Sequence, residues 1–303
     1  MEFRVLRYFL AVAREGGFSR AAQSLNVTQP TLSRQIKELE DELGLPLLIR
    51  TTHNVTLTAA GAMLRKRAEE IIDIVEKTKA GFSTADGVSG DVYIGGGETQ
   101  GMRLIAAVIT DLRRDFPDIR FHLHSGNAED VTDRLDKGLL DFGVLIQPTD
   151  LSKYASFPLP VKDSWGVLMN QAHPLAQREH ISPADLAAVP LLCSKQLLQD
   201  RGTDRLFRNL FGTDFGKLNI IATYNLLFNA ALLAESNAGC VLCLDGLVNA
   251  MNIENVVFRP LFPAVEAGLD IVWKKSQIFP PAARLFLERL KTTVLNGEDS
   301  LTP

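Results

Sequence analysis

The 303-residue sequence predicts an α/β protein with an α-rich N-terminal domain that ends in a β-hairpin, then a long helix and two α/β subdomains. Apolar residues recur at helical spacing through residue 44, and a heptad-like apolar seam follows from residue 57 to 82. After Gly90, β-prone and helical segments alternate. We therefore expect the N-terminal domain at residues 1–58, a linker helix and hinge at 59–89, and the α/β region at 90–303.

The composition is that of an ordinary folded protein, with 46% apolar and 22% charged residues. No apolar run has the length of a membrane span and no signal-peptide pattern is present, so we expect no membrane association and a cytoplasmic location. Three cysteines do not suggest a disulfide framework. The first 80 residues hold 12 Lys and Arg against 10 Asp and Glu, so the charge alone does not establish nucleic-acid binding.

The first 44 residues predict three helices, each bounded by residues that cap or terminate helices. The first ends at Gly16, and the second is a short helix between a capping Ser19 and a left-handed Asn26. The third begins after Thr28 and ends at Gly44. Its apolar face, at steps of four and three residues, consists of Leu32, Ile36, Leu39 and Leu43.

The second and third helices are joined by the tight turn Asn26-Val27, and residues 45–58 predict a β-hairpin. This order is typical of a winged helix-turn-helix, whose second helix enters the major groove of double-stranded DNA. The alternative is a three-helix bundle with an ordinary solvated face.

The polar face of the third helix offers side chains that suit base edges near its N-terminus. Gln29 can pair with adenine, Arg34 can pair with guanine, and Ser33 can reach a base or a phosphate. Three further cations are better suited to phosphates, which fix the register on DNA without reading its sequence: Arg20, Lys37 and Arg50.

The long helix that begins near Thr58 has a narrow apolar seam, which predicts pairing with an identical chain. The alternative is that the seam packs against the body of its own chain. The seam consists of Leu57, Gly61, Leu64, Ala68, Ile71, Val75, Thr78 and Phe82. The polar residues 83–90 predict a hinge.

The run FSRAAQSLNVTQPTLSRQIKELEDELGLPLL from Phe18 to Leu48, followed by LTAAG at 57–61, resembles the signature of the LysR-type transcriptional regulators. The resemblance implies a winged helix-turn-helix, a dimerising linker helix and two α/β subdomains resembling periplasmic binding proteins, in a homodimer that assembles into a homotetramer. It implies that subdomain I covers about 90–161 and 268–303, and subdomain II about 162–267.

The resemblance also implies a DNA-contacting segment, with Arg50 at the start of the wing. Further arginines are usual in the wing of the family, whereas this chain has Thr51-Thr52-His53-Asn54, so we expect a modest phosphate contribution there. The segment consists of Thr28, Gln29, Pro30, Thr31, Ser33 and Arg34.

Polar residues follow several predicted strands of the α/β region, where ligands of open α/β sheets bind. Backbone N–H groups at 95–100 and 223–225, beside Tyr224 and Asn225, suit an anionic or polar effector. The alternative is that these are turns whose Gly and Asn serve the backbone. The resemblance implies further effector contacts at Thr99, Gln100, Ser125, Gly126, Asn127, Gln147 and Thr203.

Other chemistries find little support in the sequence. Cys240 and Cys243 form a CxxC without a second pair or a nearby histidine, so two buried thiols are favoured over a zinc site or a redox sensor. Gln100 stands where a dinucleotide motif requires its third glycine, and the His122-x-His124 pair has no third ligand. We expect no catalytic residues, no metal and no cofactor.

These observations predict a DNA-binding transcriptional regulator, not an enzyme, that is controlled by a small molecule bound between two α/β subdomains. Two alternatives remain open at this point. One is an enzyme tethered to DNA by its N-terminal domain, and the other is an architectural DNA binder without an effector.

Overall fold

The computed structural model describes residues 1–51, 54–80, 88–187, 189–199, 218–247 and 253–299. The chain divides into two compact units, Met1–Phe82 and Ser83–Pro303. Most of the predicted hinge, together with Thr52, His53 and Thr203, lies outside the described residues.

The N-terminal unit contains three helices, a two-stranded antiparallel hairpin and a long fourth helix. This order confirms the predicted winged helix-turn-helix with its linker helix. The elements are α1 (Phe3–Glu15), α2 (Phe18–Ser24), α3 (Gln29–Leu43), β1 (Leu48–Arg50), β2 (Val55–Leu57) and α4 (Ala59–Ala80).

The helix ends of this unit follow the predicted signals with one exception. Gly16 and Gly44 end α1 and α3 with φ of +61° and +69°, and Asn26 adopts φ of +53° in the turn between α2 and α3. Thr28 caps α3, since its hydroxyl accepts from the N–H of Thr31 at 3.4 Å. Ser19 was predicted to cap α2 but lies inside it, because α2 begins at Phe18 and has Gly17 at its N-cap.

The core of the N-terminal unit forms between α1, α2 and the apolar face of α3. Phe9, Leu32 and Ile36 are fully buried, and Ala21 is small enough to let α2 approach its neighbours closely. Leu43 was predicted to belong to the same face, but it is 41% exposed in the last turn of α3.

Glu40 connects α3 to the hairpin. Its carboxylate accepts from the N–H groups of Leu47 at 2.8 Å and Leu48 at 3.1 Å, and from the Arg50 guanidinium at 3.1 Å. These donors belong to the start of the hairpin, so one side chain of α3 fixes where β1 begins.

The first half of the α4 seam packs within its own unit. A Cβ at Gly61 would lie 2.0 Å from the carbonyl oxygen of Leu47, and Ala68 is fully buried. Arg7 of α1 pairs with Glu76 farther along α4. The alternative of packing against the chain's own body therefore applies to this half of the seam, which is not free for a partner.

The C-terminal unit is an α/β structure whose nine described strands form one mixed sheet in the order β4-β3-β5-β11-β6-β9-β7-β8, with β10 paired to β6. Its strands are β3 (Gly90–Gly96), β4 (Ile119–Ser125), β5 (Phe142–Ile146), β6 (Tyr154–Asn170), β7 (Leu191–Ser194), β8 (Ile220–Tyr224), β9 (Cys240–Leu244), β10 (Val256–Pro260) and β11 (Glu266–Lys274). Its α-helices are α5 (Gly101–Asp115), α6 (Ala128–Asp136), α7 (Pro183–Leu186), α8 (Lys195–Gln199), α9 (Leu227–Glu235) and α10 (Pro281–Asp299).

The unit has two lobes with separate cores, as the sequence predicts. The first lobe contains β3–β5, α5, α6 and α10, and the second contains β7–β10 and α7–α9. β3 pairs in parallel with β4 and β5, and β7 pairs in parallel with β8 and β9. The antiparallel strands β6 and β11 run through both lobes, and their register shifts between Gly268 and Leu269.

Two parts of this sheet were not predicted. The first half of β6, which begins at Tyr154, was not predicted, because Pro158 and Pro160 argue against a strand. β10 was also missed, since its residues are all half-buried and show no alternation.

The Glu40 contacts predict a stability difference between two glutamates of α3. Replacing Glu40 by Ala leaves the N–H groups of Leu47 and Leu48 without their acceptor, so we expect the free energy of unfolding of the N-terminal unit to fall by about 1–3 kcal/mol. Urea unfolding of the full chain, followed by circular dichroism, measures the change.

Glu38→Ala is the matched control, because Glu38 is an exposed residue of the same helix that pairs with Arg34. We expect it to change stability by less than about 0.5 kcal/mol. A loss for Glu40→Ala no larger than that of the control would contradict the role of Glu40.

Candidate functional sites

The residues predicted to contact DNA lie together at the N-terminal end of α3, apart from Arg20 on α2 and Arg50 at the end of β1. All are exposed except Ser33, which is half-buried. Because Leu32 and Ile36 place the opposite face of α3 in the core, this polar face has no packing role in its own unit.

Arg34, the cation predicted to contact a base, has 80% of its side chain exposed. Its Nε donates to Glu38 Oε1 at 2.8 Å, one helical turn away. Such exposed pairs are worth less than about 1 kcal/mol, so the guanidinium can exchange Glu38 for a base edge at small cost.

Arg50 is held more firmly than Arg34. Besides donating to Glu40, its guanidinium lies 4.7 Å from the centre of the Phe18 ring. The hairpin turn closes through Thr51, whose N–H and hydroxyl both donate to the carbonyl of Asn54 at 2.9 Å. The cation at the base of the wing therefore has a fixed position beside α2 and α3.

A cleft of about 80 Å³ lies between the two lobes of the C-terminal unit, at the carboxyl ends of β3, β5, β7 and β8. Its walls combine apolar side chains with a few polar groups, as small-molecule sites usually do. Five residues predicted from the sequence line it: Gly126, Asn127, Gln147, Tyr224 and Asn225.

Several cleft residues were not predicted. Ser194 is the last residue of β7 and Gln196 comes two residues later, so the rule that selected Asn127 and Asn225 would also have selected them. Glu98 lies within the predicted segment 95–100, but its neighbours Thr99 and Gln100 were named instead. Trp165 lies inside β6 and not after a strand end, so the strand-end rule does not select it.

The remaining predicted effector residues lie elsewhere. Thr99 is buried and donates its hydroxyl to the buried carboxylate of Asp163, and the Gln100 amide donates to the carbonyl of Gly246. Ser125 is exposed at the end of β4. Neither Thr99, Gln100 nor Ser125 lines the cleft, so their role as effector contacts stays a prediction.

Backbone N–H groups at the starts of α6 and α9, beside the cleft, have side-chain partners. The Glu98 carboxylate accepts from the N–H of Leu227, the first residue of α9. The Gln196 side chain accepts from the N–H of Ala128 at 3.3 Å, and Asn127 caps the same helix by accepting from Asp130 at 2.9 Å. Each lobe thus supplies a side chain to the N-terminus of a helix in the other lobe.

Burial raises the pKa values of two groups in the C-terminal unit, Tyr224 and Asp163. Burial raises the pKa of Tyr224 well above its ordinary value, and its hydroxyl donates to the carbonyl of Leu242 at 2.8 Å. Burial also raises the pKa of Asp163, although the hydrogen bond from Thr99 opposes the shift.

The three cysteines are buried in β7 and β9. Burial raises the pKa of Cys193 to about 12 and of Cys240 to about 11, and it raises the pKa of Cys243 as well. All three are therefore thiols, with little thiolate, at neutral pH.

Within the described ranges, no three His, Cys, Asp or Glu side chains are grouped so that they could hold a metal ion. His122 of the HxH pair contacts Asp91 at 2.8 Å and stacks on Tyr93. None of the described helices has the length and apolar character that crossing a membrane requires.

Two family models match the chain. Residues 3–62 match the bacterial regulatory helix-turn-helix protein, lysR family, and residues 85–294 match the LysR substrate binding domain. Together they cover most of the N-terminal unit and most of the C-terminal unit.

Individual relatives agree with the models. The chain is 37% identical over 196 residues to the "Hydrogen peroxide-inducible genes activator" of Pectobacterium carotovorum subsp. carotovorum, a match that spans 63% of this chain and 64% of the relative. It is 30% identical over 291 residues to the "Hca operon transcriptional activator HcaR" of Escherichia coli K12, covering 95% of this chain and 96% of the relative.

The fold is also that of a solved regulator. CbnR, a LysR family transcriptional regulator, superposes with a TM-score of 0.74 at 21% identity, covering 97% of this chain and 99% of CbnR. A second structure, CbnR complexed with its target DNA, gives a TM-score of 0.73.

The burial of the cysteines predicts unreactive thiols. At pH 8, a thiol with a pKa near 11 is ionised to roughly one part in a thousand, so we expect Ellman's reagent to modify none of the three cysteines of the folded chain on the time scale of free thiols. The same chain unfolded in urea should release three equivalents. Rapid stoichiometric labelling of the folded chain would contradict the assigned environment.

Proposed function

Because the chain belongs to the LysR family of bacterial regulators, we propose that it is a transcriptional regulator that binds double-stranded DNA through α3 and a small-molecule effector in the cleft between its lobes. The observation that supports DNA binding best is the exposed polar face at the N-terminus of α3, whose opposite face is core. CbnR has the same fold, and its solved complex with its target DNA supports the proposal that this chain also binds DNA.

The side chains of α3 divide into two groups by their chemistry. Gln29, Ser33 and Arg34 contact base edges, and Thr28, Pro30 and Thr31 set the start of the helix against the DNA backbone. Phosphate contacts come from the cations around them: Arg20, Lys37 and Arg50.

The DNA-binding form is a homodimer, and its dimers assemble into a homotetramer. The apolar surface of α4 that its own unit leaves exposed, at Met63 (70% exposed) and Ile74 (37% exposed), supports pairing through α4. Two α3 helices then face one pseudo-palindromic site.

Effector control acts through the contacts that cross between the lobes. Glu98 reaches Leu227, and Gln100 reaches Gly246. An effector that binds one lobe arrangement more tightly than another shifts the balance between them, which is the requirement for control of DNA binding. The chain acts in the cytoplasm and catalyses no reaction, and neither the family models nor the relatives support a tethered enzyme.

Peroxide sensing does not follow from the Pectobacterium relative's name. A cysteine that reacts with peroxide must be accessible and largely thiolate, whereas Cys193, Cys240 and Cys243 are buried thiols. We therefore propose a bound metabolite, not thiol oxidation, as the signal.

The roles assigned to the side chains of α3 predict that two substitutions weaken DNA binding in different ways. Arg34→Ala should weaken binding to the specific site by about 1–3 kcal/mol and relax the preference for it over random duplex. Lys37→Ala should weaken binding to specific and random duplexes alike and reduce the salt dependence. Fluorescence anisotropy with both duplexes, at two or more salt concentrations, measures these losses. Equal losses on both duplexes for Arg34→Ala would rule out its base-reading role.

The cleft predicts a ligand-dependent rise in melting temperature. An effector at a hundred times its dissociation constant stabilises the chain by about 2.7 kcal/mol, so a thermal-shift screen of small metabolites should give a saturable rise. Gly97→Val places methyl groups into the cleft, because a Cβ at Gly97 meets Ile146 no closer than 3.4 Å.

We expect Gly97→Val to abolish the ligand response and to keep the DNA affinity of the ligand-free chain. No response to any compound in the wild type would favour an architectural DNA binder. A response that survives in Gly97→Val would place the effector elsewhere.

A further inference from the structure

The cleft is an electrically asymmetric site. Among the described residues that line it, Glu98 is the one with a formal charge. The lining also includes the apolar side chains of Val144, Leu145, Leu197, Leu227 and Leu244. A carboxylate in an apolar setting acts over several ångströms, because water screens it less than on an open surface.

At both helix N-termini beside the cleft, side chains of the protein already accept from backbone N–H groups. At α9 the Glu98 carboxylate already accepts from Leu227. At α6 the first turn contains two acidic residues, Glu129 and Asp130. The N–H of Ala128 donates to the Gln196 side chain, and the N–H of Asp130 donates to the Asn127 side chain. The positive ends of both helix dipoles are therefore neutralised by the chain itself.

The approach to the cleft is also acidic. A wider groove of about 500 Å³ shares Asn127, Tyr224 and Asn225 with the cleft, and its charged residues are Glu129, Asp130, Asp133 and Lys195. Lys137 pairs with Asp133 at 2.7 Å, so Glu129 and Asp130 against Lys195 leave the groove with a net negative charge. A negative potential there raises the local concentration of cations and lowers that of anions.

We propose that Glu98 determines the specificity of the effector site and selects small organic cations, an apolar body with a protonated amine, over carboxylates. The proposal rests on the cleft being the effector site. The ammonium of the ligand binds beside the Glu98 carboxylate, its carbon skeleton contacts the leucines of the cleft, and a carboxylate in the same position meets a like charge.

Three probes with the same four-carbon skeleton test this: isobutylamine, isobutyramide and isobutyrate. The full chain has two tryptophans, and Trp165 lines the cleft, so the Trp273→Phe background makes intrinsic fluorescence a reporter of cleft occupancy. Titration of each probe gives its dissociation constant.

The key variant is Glu98→Gln, which keeps an oxygen that can accept from Leu227 and removes the charge. Glu288→Gln, an exposed residue of α10 in the first lobe, is the matched control. In the wild type and the control, we expect isobutylamine to bind about tenfold or more tightly than isobutyrate, with the amide between them. In Glu98→Gln, this ratio should fall about tenfold.

The inference fails if isobutyrate binds the wild type as tightly as isobutylamine, or if Glu98→Gln leaves the ratio unchanged. It also fails if the metabolite screen returns a carboxylate that perturbs Trp165 equally well in both variants, and in that case the proposed effector site stands. If neither the probes nor any screened compound perturbs Trp165, the proposed effector site fails together with the inference.

Discussion

The antiparallel pairing of β6 with β11 is the constraint on which the C-terminal unit depends. The two strands pair from Tyr154 with Lys274 to Ser164 with Glu266, and so pass from the core of one lobe into the core of the other. Because backbone hydrogen bonds resist stretching, the lobes can change their relative angle mainly where this ladder is irregular. That place is the register shift between Gly268 and Leu269, next to the Gln147 N–H that donates to the Gly268 carbonyl at 2.9 Å.

The consecutive residues Glu98, Thr99 and Gln100 connect the β6–β11 strand pair to the cleft. They leave the end of β3 in the first lobe, and their side chains reach Leu227, Asp163 on β6 and Gly246. One short segment therefore contacts both the β6–β11 strand pair and the opposite lobe. A ligand that displaces Glu98 from α9 acts on the same three-residue segment that holds Thr99 against Asp163.

The local features of the fold were predictable because they depend on neighbours in sequence. Gly16, Asn26 and Gly44 occupy left-handed positions that few other residues tolerate, and the apolar spacing of α3 sets which face is core. The first half of β6 was not predictable, because Pro158 and Pro160 argue against a strand there. Its pairing partner, β11, lies far away in the sequence. Only the folded chain shows that Arg50 is shared between Glu40 and Phe18.

The candidate site follows the same rule: its features that depend on neighbours in sequence were predictable, and those that depend on distant residues were not. Asn127 and Tyr224 follow the strand-end rule, so they were found from local pattern. The partners of the helix N-termini come from the opposite lobe, and a glutamate beside three glycines has no local sign that it will cap α9. The location of the site could thus be predicted from local sequence pattern, whereas its polarity depends on tertiary contacts between the lobes.

The passage of β11 and α10 back into the first lobe also sets the order in which the chain can fold. The rings of Phe142 and Phe286 lie 5.2 Å apart in that core, although 143 residues separate them in sequence. During synthesis, the N-terminal unit can form from contacts within its first 82 residues, whereas the first lobe stays incomplete until the last helix has left the ribosome. A nascent chain can therefore complete its helix-turn-helix unit well before it completes the cleft between the lobes.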